Sequence, residues 1–303
     1  MSDNIEKSFT VSSPVQLNVN NIRGSIIIQP GEDGTIQVTA TKQPHTGDAN
    51  RTEVNLSQGA DGAVNASTRF PDISWNWISG WQPCEVDYVV KAPHQSTLVL
   101  NGVSSSILAE GFKGDTNVKS VSGEISLKEI KGTLKIHTVS GGVEGERITG
   151  SLIVETVSGD LVLKESDLSS IKGNTVSGDL RINTRVAEGP YNFNSVSGDV
   201  RLIVPPETRC TCELHSLSGD LGSIFPTDNS FPHHGLQMNN IQGGGVKISL
   251  HSVSGDLFLD CSSPLPQPSG LPGSDSQEKR RTVLDRVDRG ELTVDEALTQ
   301  LHE

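Results

Sequence analysis

Five aspartates, Asp160, Asp179, Asp199, Asp220 and Asp256, each follow a Ser-Gly pair, and Glu124 holds the same place in an earlier copy. Carboxylates in a regular column are hard oxygen ligands of the kind calcium selects, so a cation ladder is one reading of the set. Calcium takes about six to eight oxygens, however, and the Gly-Gly-x-Gly-x-Asp signature of calcium-loaded β-repeats does not occur. The favoured reading is a turn residue whose carboxylate accepts backbone N–H groups, with the metal site as the alternative. His137, His215 and His251 share another column, but Glu155, Asn174 and Asn194 intervene, so they read as strand residues rather than a ligand set. His233 and His234 belong to a loop in the longest gap between copies, a place suited to contacts. Cys210 and Cys212 lie on one face of a strand and read as packing residues, with metal binding as the alternative. Nucleophile elbow, metalloprotease helix and phosphate loop are all missing, so no cofactor and no catalytic residue are expected.

What positions these residues is a repeat. The motif Val-Ser-Gly-Asp-Leu centres on Gly123, Gly141, Gly159, Gly178, Gly198, Gly219 and Gly255, at spacings of 18, 18, 19, 20, 21 and 36. The last spacing reads as two periods with one copy degraded, and Val103, Ser104 and Ser105 form a faded copy ahead of the series. Two residues before the glycine stand Val121, Val139, Val157, Val176, Val196, Leu217 and Val253; two after it stand Ile125, Val143, Leu161, Leu180, Val200, Leu221 and Leu257. Both columns are expected to point inward, as is a third, five before the glycine, that includes Val118, Ile136, Val154 and Phe193. The two apolar columns before the glycine differ in parity, so a turn or bulge is expected between them, at the Ser or Thr found there in every copy.

Each period thus holds short strands and corners, one coil of a stack. The expected fold is all-β: a β-solenoid of roughly eight coils, on the order of 40 Å long at the strand spacing, with a small C-terminal α-helical hairpin. A meandering antiparallel sheet is the structural rival. The chain divides into an N-terminal β region and solenoid cap over 1–100, the solenoid over 101–261, a Pro/Gly/Ser linker over 262–277 and the helical hairpin over 278–303. Trp75, Trp77 and Trp81, clustered within the first region, are read as a plug for the open end of the stack or as a contact patch. Val283, Leu284 and Val287 on one helix, with Leu298 and Leu301 on the next, form the apolar contact of the hairpin.

Composition narrows the partners. The chain is 33% hydrophobic and only 4% aromatic, which suits a narrow interior of Val, Leu and Ile. Its net charge of −13 argues against nucleic-acid and anionic-membrane surfaces. No secretory or transmembrane pattern is written in Met1–Thr10, so a cytoplasmic location is expected, with cell-envelope association left open and the four cysteines reduced.

The repeated motif over about 20–260 resembles a bacterial adhesin-like family of unknown function built from β-strand repeats. The tail from Val283 through Ala297 resembles the short two-helix oligomerisation module that often accompanies it. The resemblance implies a non-catalytic scaffold for protein association, in some members part of the cell-envelope stress response. The expected partner is therefore a protein or a second copy, met through the solenoid and the C-terminal helices, with no nucleic acid and no transmembrane segment. The alternatives are a polymer-forming, bactofilin-like cytoskeletal solenoid and, behind it, a polysaccharide-active β-helix enzyme.

Overall fold

The computed structural model describes residues 3–70, 82–230 and 236–262. The chain divides into two compact units, Met1–Ser263 and Pro264–Glu303, and every described residue falls in the first.

Each repeat folds as a strand, the Val-Ser-Gly corner, a second strand and a return turn. In one copy these are Lys131–Thr138, the corner 139–142 and Val143–Glu146. The period of about eighteen brings like residues of successive copies side by side in parallel: Ile136 pairs with Val118 and Val154, and Val143 with Ile125 and Leu161. Two parallel ribbons result, one from the strands before each corner and one from those after it. Alternate residues turn into a shared core, where Leu134, Ile136, Val143 and Ile148 are each no more than 2% exposed.

The column two before the glycine does not point inward. Val121, Val139, Val157, Val176, Val196 and Val253 are 46–49% exposed and Leu217 is 85% exposed. The alternation of the first strand runs straight on, so that the residue after Ile136 to face inward is Thr138. Its hydroxyl donates to the Gly141 carbonyl at 3.3 Å and accepts the Gly141 N–H at 3.2 Å; Thr156 and Thr175 do the same at their own glycines, at 2.9 Å. The buried hydroxyl satisfies two backbone groups that the corner removes from the ladder, and valine is left outside.

The corner glycine is required by close approach. A Cβ on Gly141, Gly159, Gly178 or Gly198 would lie closer than 3.0 Å to the backbone of the preceding copy's glycine. The column also reveals the order of stacking: Gly255 rests on Gly198, and Gly219 on Gly255. After Val204 the chain lays down the outermost layer first, Cys210–His215 and Leu221–Ser223. Val246–His251 and Leu257–Cys261 then enter the space beneath it. The long gap therefore holds no degraded coil. It holds Leu236–Ile241, antiparallel to Cys210–His215, and Thr227–Ser230 beyond it. Gln237 also closes the last corner: its Oε1 accepts the Leu221 N–H at 2.9 Å and its Nε2 donates to Gly219 O at 3.0 Å. In the layers below, the equivalent N–H bonds the aspartate carbonyl of the next copy, as Leu161 does with Asp179, so the glutamine replaces the missing layer.

At the other end Gln16–Pro30 pairs in parallel with both halves of Thr97–Glu110, extending both ribbons into the region without the motif. Glu85–Ala92 continues one ribbon in parallel, after which Thr35–Gln43 and Asp3–Thr10 add antiparallel strands. The fold class is corrected accordingly. In place of a β-solenoid of stacked coils with a small C-terminal helical hairpin, the described residues form a single all-β sheet of twenty-two strands, parallel in its middle, antiparallel at both ends, and without a helix. Antiparallel strands at the ends cover edges that a bare stack would leave unpaired. The helical contact residues Val283, Leu284, Val287, Leu298 and Leu301 lie outside the described residues.

Candidate functional site

Stacking turns each position of the motif into a straight column on the surface. The predicted aspartates form one such line, in the spatial order Asp160, Asp179, Asp199, Asp256, Asp220. The Oδ1 of each accepts the backbone N–H of the next, at 2.9, 2.9, 3.0 and 2.8 Å. Carboxylates one strand spacing apart repel by about 1 kcal/mol in water, and these hydrogen bonds to the neighbouring layer offset it. Among the described residues no group of three or more His, Cys, Asp or Glu side chains has the arrangement to hold a metal ion. The geometry is that of a turn residue stitching layers together.

On the other side of the corner the half-exposed valines form a ridge. Parallel to it, two residues earlier on each strand, runs a polar column: Asn20, Asn101, Lys119, His137, Glu155, Asn174, Asn194, His251 and His215, each paired in register with the next. A groove of about 520 Å³ lies between the two, walled by Val103, Val121, Val139 and Val157 on one side and Asn101, Lys119, His137 and Glu155 on the other. The polar wall is internally bonded. His137 Nδ1 meets Glu155 Oε2 at 2.9 Å, Asn101 donates to Asn20 at 2.7 Å, and Asn194 donates to Asn174 at 2.8 Å. Beneath the N-terminal end, Thr68 bonds the Tyr88 hydroxyl at 2.8 Å and Asn21 Oδ1 at 3.0 Å, while Asn21 donates to Val86 O at 2.7 Å. Burial pushes the Tyr88 hydroxyl up to about 12, so it stays protonated and the network stays neutral.

Residues 32–260 match the model of the family described as Toastrack DUF4097. The chain belongs to this Toastrack family. Three solved structures show likeness at low identity. One is a "putative adhesin" from Parabacteroides distasonis, 9% identical, with a TM-score of 0.41, covering 85% of this chain and 97% of that one. Another, a "putative adhesin" from Bacteroides fragilis, is 10% identical, with a TM-score of 0.38 and coverages of 85% and 97%. The third, a "putative lipid binding protein" from Parabacteroides distasonis, is 12% identical, with a TM-score of 0.43 and coverages of 85% and 96%. Comparison with curated proteins gives no match.

The remaining predicted residues of this Toastrack chain fall as follows. Because no further coil intervenes between the last two layers, His215 and His251 become neighbours, their rings stacked at 4.6 Å and 17°, whereas His137 stands apart. Cys210 and Cys212 are buried with their sulfurs 3.9 Å apart. The neighbouring Cys210 thiol, and then burial, raise Cys212 well above the ordinary thiol range, so it remains protonated. Trp75, Trp77 and Trp81, and His233 with His234, lie outside the described residues. Sequence reasoning missed the groove, whose walls come from columns assigned to core and to strand surface. It also missed the Asn21–Thr68–Tyr88 network, which joins parts of the chain that carry no motif.

Proposed function

We propose that this Toastrack chain is a non-catalytic, adhesin-like scaffold that associates with protein surfaces along its corner. The observation that carries the reading is the ridge: seven valines, Val103 among them, each 46–49% exposed, stand one layer apart in an unbroken line. Fully burying one valine stabilises by about 1.5–3 kcal/mol, so covering half of each supplies about 1 kcal/mol per layer. The corner itself makes no demand for valine, since its hydrogen bonds use the adjacent Thr or Ser and the backbone. Contiguous exposed apolar surface of this kind marks contact sites. In the same reading the protein works in the cytoplasm, with partners at the cell envelope.

The test places a photo-cross-linking amino acid at Val139 or Val157 in the full chain within living bacteria, with exposed Glu144 on the other ribbon as control. Adducts are expected from the two valine positions and not from Glu144. Equal labelling at all three would overturn the reading.

A further inference from the structure

The polar column that walls the groove from Asn20 to Glu155 continues past it through Asn174 and Asn194, and the whole column reads almost the same from both directions. Outward from His137, Lys119 is matched by Glu155 on the opposite side, Asn101 by Asn174, and Asn20 by Asn194. The apolar wall is symmetric about the same layer: from Val139, Val121 is matched by Val157, Val103 by Val176, and Ile22 by Val196. A surface with this pattern is self-complementary when a second copy is laid on it with its stack reversed. We infer that the groove and the continuation of its two columns to Asn194 and Val196 form a twofold interface between two copies of this chain, the axis running along the strand direction over His137 and Val139.

Under that operation Lys119 of each copy faces Glu155 of the other, asparagine faces asparagine, His137 faces its own copy, and valine faces valine except where Ile22 meets Val196. Lys119 is exposed, and among the described residues no carboxylate pairs with it in its own chain. The polar column over these seven layers carries one positive and one negative charge, so the acidity of the chain, −13 overall, is not concentrated there. The aspartate line lies on the far side of the corner. Lys135, the next outward residue on the central strand, would meet its own copy and limits the footprint to the two columns. Seven layers at the strand spacing make a strip about 30 Å long. Two residues wide, it buries on the order of 500 Å² per copy, less than the roughly 800 Å² of a standard interface, so the dimer dissociates in the micromolar range.

This inference rests on the association reading above and names its partner. Sedimentation velocity of the full chain between about 1 and 200 µM, a range that brackets micromolar dissociation, reads it. Lys119→Glu alone and Glu155→Lys alone each place two like-charged pairs in the dimer and weaken it by about tenfold or more. The Lys119→Glu/Glu155→Lys double variant returns to within about threefold of wild type, and the two single variants mixed form a heterodimer, since their charges are then complementary. Independently of any other self-contact, Val139→Cys oxidised with copper phenanthroline cross-links to a dimer, because that residue faces itself, whereas Val253→Cys does not. Single reversals that dimerise like wild type, or a double variant that stays as weak as the singles, would overturn the twofold interface. So would failure of Val139→Cys to cross-link. If in addition the photo-adducts at Val139 carry a mass other than twice the chain, the groove holds a different protein and the association reading survives. If there are no adducts, both fall.

Discussion

Two adjacent glycines give a sharp test of the corner. A methyl group on Gly141 would run into the carbonyl of Gly123 in the layer below, with the Gly123 carbonyl carbon at 2.9 Å and Thr138 Oγ1 at 3.3 Å, whereas one on Gly142 meets nothing within 4 Å. Neither backbone is in the left-handed region. For Gly141→Ala the layers must separate at that corner, loosening the bond from Ser140 N to Val121 O at 2.9 Å and that from Gly141 N to Thr138 Oγ1 at 3.2 Å. Overpacking against rigid backbone costs about 1–3 kcal/mol, and two weakened hydrogen bonds add about 1 kcal/mol each. The sum, about 3–5 kcal/mol, lowers Tm by roughly 6–20 °C for a chain of this size. Gly142→Ala restricts the unfolded chain without a native clash and stabilises by about 0.4–1 kcal/mol. Thermal melts of the two full-length variants, followed by circular dichroism, measure the contrast. A Gly141→Ala protein that melts no lower than Gly142→Ala would refute the claim that backbone-on-backbone stacking selects glycine.

Thr156→Val keeps the shape but strips the hydroxyl from a buried corner, costing about 1–3 kcal/mol in urea denaturation, while Thr156→Ser stays near wild type, as the serine at position 120 shows it can. Gln237→Leu leaves Leu221 N–H and Gly219 C=O without partners, so the Leu221 amide exchanges with solvent about tenfold faster while amides in the middle layers hold their protection. Tyr88 deprotonates less readily folded than unfolded, so its contribution to stability is complete below pH 10 and disappears as pH rises towards 12, about 2–3 kcal/mol in all. Denaturation measured at several alkaline pH values should show that loss, and Tyr88→Phe should flatten it.

The repeat was legible because stacking demands equivalence. The columns at Ile136 and Val143, five before and two after the glycine, are buried as their patterning implies, except at half-buried Leu221 in the outermost layer. The valine column misled because apolar character was equated with burial. The contrary signal was the hydroxyl at 120, 138, 156 and 175, whose parity with Ile136 makes it the inward residue. The exchange of the last layers was not legible at all: a gap of 36 fits two periods, and the choice of neighbour for Gly255 depends on contacts far apart in sequence. The stacked histidines follow from the absence of the coil that a gap of two periods implies, and were hidden with it. The groove became visible only once residues some eighteen apart were set side by side, since no single copy contains both its length and its symmetry.

The late entry of 246–261 beneath a layer already laid down makes this segment a keystone rather than a terminus. In an ordinary repeat array the final unit can be trimmed and the remainder keeps its neighbours. Here, shortening the chain before Val246 opens a slot in the interior and strands the outer layer from the one it should rest on.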